Sequence, residues 1–235
     1  MKLYVFPPSG RVVALIALKN HLQIDCEIVS IDLCQGEQRN PQYSALNPNR
    51  KIPVLCDRDI VLWESNAILF YLASTRPESG LWPTDTARQS DVLRWLFWQS
   101  AHWDAESCGM VAYERASKGV LGAGPPDPAF IARGEQNFDR FAAVLNDSLA
   151  GRIWLTGDQL TIADFSIAGL VPTAERFGLP VSRFPEVLRW YEGLNSLPAW
   201  KDALTARRSA IAAFFARGAA ADELPPSAPT LISPQ

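Results

Sequence analysis

The sequence predicts a small α/β domain, ordered β-α-β-α-β-β-α, followed by a larger domain made of helices alone. Three observations predict this. Through residues 1–76, apolar stretches of strand length alternate with helical periods, and turn residues separate them. Residues 77–85 read as a linker, broken by Pro77, Gly80 and Pro83. From Thr86 to Pro198 apolar residues recur at three- and four-residue spacing, with no strand pattern among them.

In the first domain Leu3 to Phe6 reads as a strand, Pro7-Pro8-Ser9-Gly10 as a turn, and Arg11 to Leu22 as a helix with Val12, Leu15, Ile16 and Leu18 on a broad face. Cys26 to Ile31 alternates as a second strand, which the crossover helix makes parallel to the first. Residues 35–48 are polar, with one short helix near Pro41 to Ala45. Lys51-Ile52-Pro53-Val54-Leu55 opens a third strand, Asp57-Arg58-Asp59 turns the chain, and Ile60 to Trp63 returns as a fourth. A helix follows from Ser65 to Thr75.

The helical domain is expected over residues 86–217. Its first helix runs from Thr86 to Ser117 and is rich in tryptophan; a Gly/Pro loop follows over Gly119 to Pro128. Further helices are expected at Ala129 to Leu149, Thr161 to Phe177, Phe184 to Leu197 and Ala199 to Phe215. Thr161 and Asp164 have the spacing of a capping box with Asp in place of Glu, a structural device whose N-cap is worth about 1 kcal/mol. Residues 218–235, with Pro225, Pro226 and Pro229, read as a flexible tail.

Composition narrows the function. The 235 residues are 48% hydrophobic and 20% charged, with a net charge of −3, which argues against nucleic-acid or anionic-membrane binding by electrostatics. No apolar run reaches the roughly 20 residues of a membrane helix, and Pro7-Pro8 follows Met1 too soon for a signal peptide. Cys26, Cys34, Cys56 and Cys108 show neither CxxC nor metal spacing, so we expect reduced thiols in the cytoplasm and no metal.

The most informative string runs from Lys51 to Ile68. A proline opening a strand has no N–H to lose, and an X–Pro bond takes the cis form readily. Such a bend would turn the Ile52 N–H and C=O outward, free to pair with an extended peptide. The helix N-terminus at Ser65 offers unpaired N–H groups to a carboxylate, with Glu64 beside it for an ammonium. Together these suit an amino acid or a γ-glutamyl peptide. The string resembles the thioredoxin-like half of the cytosolic glutathione transferases, and Trp154-Leu155-Thr156-Gly157-Asp158-Gln159-Leu160-Thr161-Ile162-Ala163-Asp164-Phe165 is similar to the segment that opens their central buried helix. Among members the chain looks like the bacterial, serine-type, theta- or nu-like ones.

The resemblance implies a thioredoxin-like domain joined to a helical bundle, glutathione as co-substrate, a small electrophile as partner, detoxification chemistry and a homodimer. It implies that Lys51 meets the glycine carboxylate of glutathione, that Ile52 before a cis Pro53 meets its cysteinyl backbone, that Glu64 and Ser65 meet its γ-glutamyl end, and that Gln38 and Arg39 add contacts. Glu37 is expected to be solvated. The thiol must be ionised, and lowering its pKa by two units takes about 2.7 kcal/mol of thiolate stabilisation. Ser9 carries the one hydroxyl of the first turn, and it is either the donor to that thiolate or the N-cap of the first helix. Only Gly10 separates Ser9 from Arg11, a shorter turn than in many bacterial relatives. Trp98, His102 and Glu106 share a helical face and are candidates for the electrophile pocket, or for core packing. Conjugation leads the functional readings; a glutathione-dependent disulfide reductase or peroxidase, and a binding protein without turnover, are the alternatives.

Overall fold

The computed structural model describes residues 1–222. Strand β1 (Lys2–Val5) leads into helix α1 (Gly10–His21) and β2 (Glu27–Ser30). A short helix α2 (Pro41–Leu46), the hairpin β3 (Val54–Asp57) and β4 (Ile60–Trp63), and α3 (Ser65–Ser74) complete the domain in the predicted order. The sheet order is β2-β1-β3-β4; β1 and β2 run parallel, while β3 is antiparallel to both its neighbours. Leu3, Val5 and Leu55 point from the sheet into a core shared with Leu15 and Leu18 of α1 and Leu69 and Leu72 of α3.

The second domain opens with α4 (Thr86–Trp98), capped by Asp85, whose carboxylate accepts the Arg88 N–H at 2.9 Å. The rod continues through a π-helical stretch, Gln99–Cys108, then α5 (Gly109–Ala112), a second π stretch Tyr113–Ser117, and α6 (Lys118–Val120). Next come α7 (Pro128–Leu149), α8 (Ile162–Ala168), α9 (Val171–Arg176), α10 (Pro185–Asn195) and α11 (Pro198–Asp222). The single helix expected over Thr161 to Phe177 is two, because Pro172 lacks an N–H and its ring clashes with the carbonyl four residues back. Of the tail expected over residues 218–235, residues 218–222 belong to α11, and residues 223–235 lie outside the described residues.

Every residue of α8 is buried, and its N-terminus shows why. Thr161 and Asp164 form the capping box. Asp164 also accepts from the Leu155 N–H and the Trp190 indole, each at 2.9 Å, besides the Thr161 N–H at 2.9 Å. Burial pushes its pKa up, and these hydrogen bonds oppose the shift.

The domains are joined by polar contacts as well as core. Asn66, in the first turn of α3, donates to the Leu96 carbonyl at 2.8 Å and to Gln99 and Ser100 at 3.0 Å, and accepts from Ser166 of α8 at 2.6 Å. Leu81 of the linker is buried, and its carbonyl accepts the Ile162 N–H at 3.1 Å.

Replacing Asp164 by alanine would leave the Leu155 and Thr161 N–H groups and the Trp190 indole buried without an acceptor. At about 1–3 kcal/mol for each orphaned donor, Asp164→Ala is expected to lose at least about 3 kcal/mol of unfolding free energy in a urea titration.

Candidate functional site

Strand register brings distant segments to one end of the sheet. Tyr4 pairs with Val54, and Val54 with Trp63, so the exit of β1, the entry of β3 and the exit of β4 lie side by side. Val5 pairs with Ser30 in the parallel ladder, so the loop after β2 leaves from the same end. The turn carrying Ser9, the Lys51–Pro53 segment, the Glu64–Ser65 junction and the loop with Gln38 and Arg39 therefore gather there.

Ser9 stands at the N-cap position of α1, with φ −65° and ψ 135°, yet its side chain caps nothing. Its hydroxyl is half-buried and has no partner among the described residues. The Ile52–Pro53 bond is cis, and the N–H and C=O of Ile52 make no hydrogen bond among the described residues. The preceding carbonyl is held firmly: Lys51 C=O accepts from the Tyr43 hydroxyl at 2.7 Å and the Asn47 amide at 2.8 Å. The Lys51 side chain is exposed.

Glu64 has φ 74° and ψ 116°, a region that costs a non-glycine residue about 1–3 kcal/mol. That bend turns the chain from β4 straight into α3 and leaves the exposed Glu64 side chain capping nothing. The first N–H groups of α3, from Ser65 onward, have no partner within the helix. Arg39 is exposed, whereas Gln38 folds into its own loop: its amide donates to the Leu33 carbonyl at 3.4 Å, and its Oε1 is buried without a partner. Glu37 is not simply solvated; its carboxylate accepts the Asp32 N–H at 2.7 Å and staples that loop.

The helical domain closes the Ser9 side. Arg11 of α1 makes a two-pronged ion pair with Asp104. Gly109 makes room for it, because a Cβ there would lie 1.9 Å from Asp104 Oδ1. Arg207 of α11 donates to the Pro8 carbonyl and to Thr173 Oγ1, each at 3.0 Å. Trp98, His102 and Glu106, expected either at the electrophile pocket or in core packing, are all partly exposed and lie along α7. Trp98 and His102 pack on Phe141 of α7 at ring separations of 5.9 and 5.3 Å, and the Glu106 carbonyl accepts from Asn137 of α7 at 3.0 Å. Asp104 is the residue of this stretch that reaches α1.

Sequence reasoning missed Tyr43, Asn47, Asn66 and Asp104. Asn66 lies within the quoted string, and Asn47 four residues before Lys51, but nothing local tells which carbonyl an amide will serve. The free thiols of Cys26, Cys56 and Cys108 have pKa values raised by burial, which suits packing. A cavity of about 930 Å³ lies between α9, α10 and α11, lined by none of the predicted site residues; Arg207 lines it and also reaches Pro8.

Comparison with known proteins identifies the family of this fold. Residues 1–74 match the glutathione S-transferase N-terminal domain, and residues 128–193 the glutathione S-transferase C-terminal domain. Glutathione S-transferase 3 of Zea mays is 34% identical over 212 residues, covering 88% of this chain and 94% of that one. The chain belongs to the glutathione S-transferase family. This transferase-family chain is also similar to the disulfide-bond oxidoreductase YfcG of Escherichia coli, at 29% identity over 86% of this chain and 93% of that one. Among solved structures it is similar to the glutathione transferase URE2P6 of Phanerochaete chrysosporium in complex with oxidised glutathione, with a TM-score of 0.80 and 26% identity, covering 89% of this chain and 96% of that one.

Burial raises the Tyr43 pKa to about 12, from an ordinary 10.0, with smaller contributions from Cys56 and Tyr4. A raised folded-state pKa means stability that is present below pH 10 and lost as pH rises toward 12. Tyr43→Phe is expected to shrink that alkaline loss, measured as the drop in urea midpoint across this window.

Proposed function

We propose that the protein binds reduced glutathione at this end of the sheet and directs its thiolate at small electrophiles, with the Ser9 hydroxyl as hydrogen-bond donor to the sulfur. The observation that carries the reading is the Ser9 hydroxyl itself. It sits where a helix cap belongs, caps nothing, and faces no partner among the described residues. Lys51 takes the glycine carboxylate, the open N–H and C=O of Ile52 take the cysteinyl backbone, and the α3 N-terminus with Glu64 and Ser65 takes the γ-glutamyl end. Arg39 serves as an outer contact, and Gln38 shapes its loop. Glutathione abundance and reduced thiols make the cytosol the compartment this reading implies.

A second reading is reduction of disulfides. Its support is the similarity to YfcG and to URE2P6, whose structure holds oxidised glutathione. A glutathione thiolate would attack the substrate disulfide and expel one thiolate, and a second glutathione would resolve the mixed disulfide, leaving oxidised glutathione. Assays with an aryl halide and with a small disulfide separate the two readings. Saturable binding without either rate would mark a binding protein that kept the fold.

We further propose a homodimer. Ile60, Val61 and Trp63 of β4, Phe70 of α3, and Leu93 and Phe97 of α4 are all exposed, Phe97 by 71%, and supply apolar surface that a second copy could cover. Light scattering should return twice the chain mass, and a single chain mass would refute the dimer.

Ser9→Ala is expected to lower kcat about ten- to a hundred-fold while changing glutathione affinity by calorimetry less than about twofold. Lys51→Ala and Glu64→Ala should do the reverse, weakening binding more than turnover. Equal losses of binding and turnover in Ser9→Ala would reduce Ser9 to a structural residue.

A further inference from the structure

The Pro8–Ser9 peptide group is bonded on both sides. Its N–H, from Ser9, donates to the Phe6 carbonyl at 2.9 Å, closing a turn through Pro7 and Pro8, whose rings fix φ near −65°. Its C=O, from Pro8, accepts from Arg207 Nε at 3.0 Å. The far side of Ser9 is held as well. Gly10 lies so close to α9 that a Cβ on it would sit 2.2 Å from Thr173 Oγ1, the atom to which Arg207 Nη2 donates. One guanidinium thus ties the residue before Ser9 to the surface against which the residue after it rests.

Arg207 is an expensive way to make this contact. It is 9% exposed, and its hydrogen-bond partners among the described residues are a carbonyl and a hydroxyl, with no carboxylate. Burial lowers its pKa to about 10, Arg176 adds to that, and Tyr191 opposes it, so the side chain remains a cation at neutral pH. A buried charge paired with neutral groups destabilises the fold relative to an apolar residue of the same size. A charge-assisted bond to a carbonyl fixes a peptide plane better than a neutral one would.

We propose that Arg207 is a positioning residue for Ser9, locking the Pro8–Ser9 peptide plane so that the idle hydroxyl is presented to the bound sulfur. The proposal rests on the glutathione reading given above. It assigns α11 a part in the chemistry that does not require touching either substrate.

Two measurements on the full-length protein test it. In the free protein, Arg207→Met should speed amide hydrogen exchange across residues 6–12 and leave the β3–β4 hairpin unchanged; Thr173→Val, which removes the second acceptor with little change in volume, should do so to a smaller degree. Unchanged exchange in both variants overturns the lock. In steady-state kinetics, Arg207→Met should lower kcat about tenfold with the KM for glutathione within about twofold. The same change made on a Ser9→Ala background should cost nothing further. Equal losses on both backgrounds would show that Arg207 acts on general stability and not through Ser9. If the wild-type protein neither binds nor turns over glutathione, the functional reading falls, and the exchange experiment alone decides whether the lock exists.

Discussion

The pairing of Tyr4 with Val54, and of Val54 with Trp63, determines where each part of the candidate site stands. Side chains alternate along a strand, so a one-residue slip would turn the apolar faces of β1 and β3 away from the core and move the Pro53 bend relative to the Ser9 turn. The buried set Leu3, Val5, Val54 and Leu55 makes that slip costly. The sheet thus positions the candidate site through its own hydrophobic burial, and the loops leaving it need only short-range anchors. Tyr43 and Asn47 on the Lys51 carbonyl, and Glu37 on the Asp32 N–H, are anchors of this kind.

The second domain acts on that edge through a few polar contacts. Asn66 fixes α3 against α4 and α8, Asp104 fixes α1, and Arg207 fixes the turn between β1 and α1. Each of these contacts joins the helical domain to the first domain at a different point, close to a predicted glutathione contact or to Ser9. Asp164 supports the arrangement from below by satisfying the buried start of α8, the helix on which Asn66 and Trp103 lean. Small residues appear where these contacts are tightest, at Gly10 and Gly109.

The order of elements and the turns of the Lys51–Ile68 string were legible because each rests on local signals. A proline at a strand entry, an Asp-Arg-Asp turn and a Glu-Ser helix start state their geometry without reference to the rest of the chain. The break at Pro172 was equally local and was overlooked because the surrounding apolar period runs through it. The direction of the stretch carrying Trp98, His102 and Glu106 is set by packing against α7 and by the π-helical winding of Gln99–Cys108, which an ideal helical period does not anticipate. Asn66, Asp104 and Arg207 could not be assigned because their partners lie 30, 93 and 199 residues away.

That last separation has a consequence for how the protein is made. Ribosomes extend a chain at about 5–20 residues per second, so about 10–40 s pass between synthesis of Pro8 and of Arg207. The N-terminal sheet can form during that interval, yet the turn bearing its hydroxyl lacks its distant tether until α11 has emerged. A nascent chain that has not yet reached Arg207 would therefore carry a formed sheet with the Pro8–Ser9 turn still untethered.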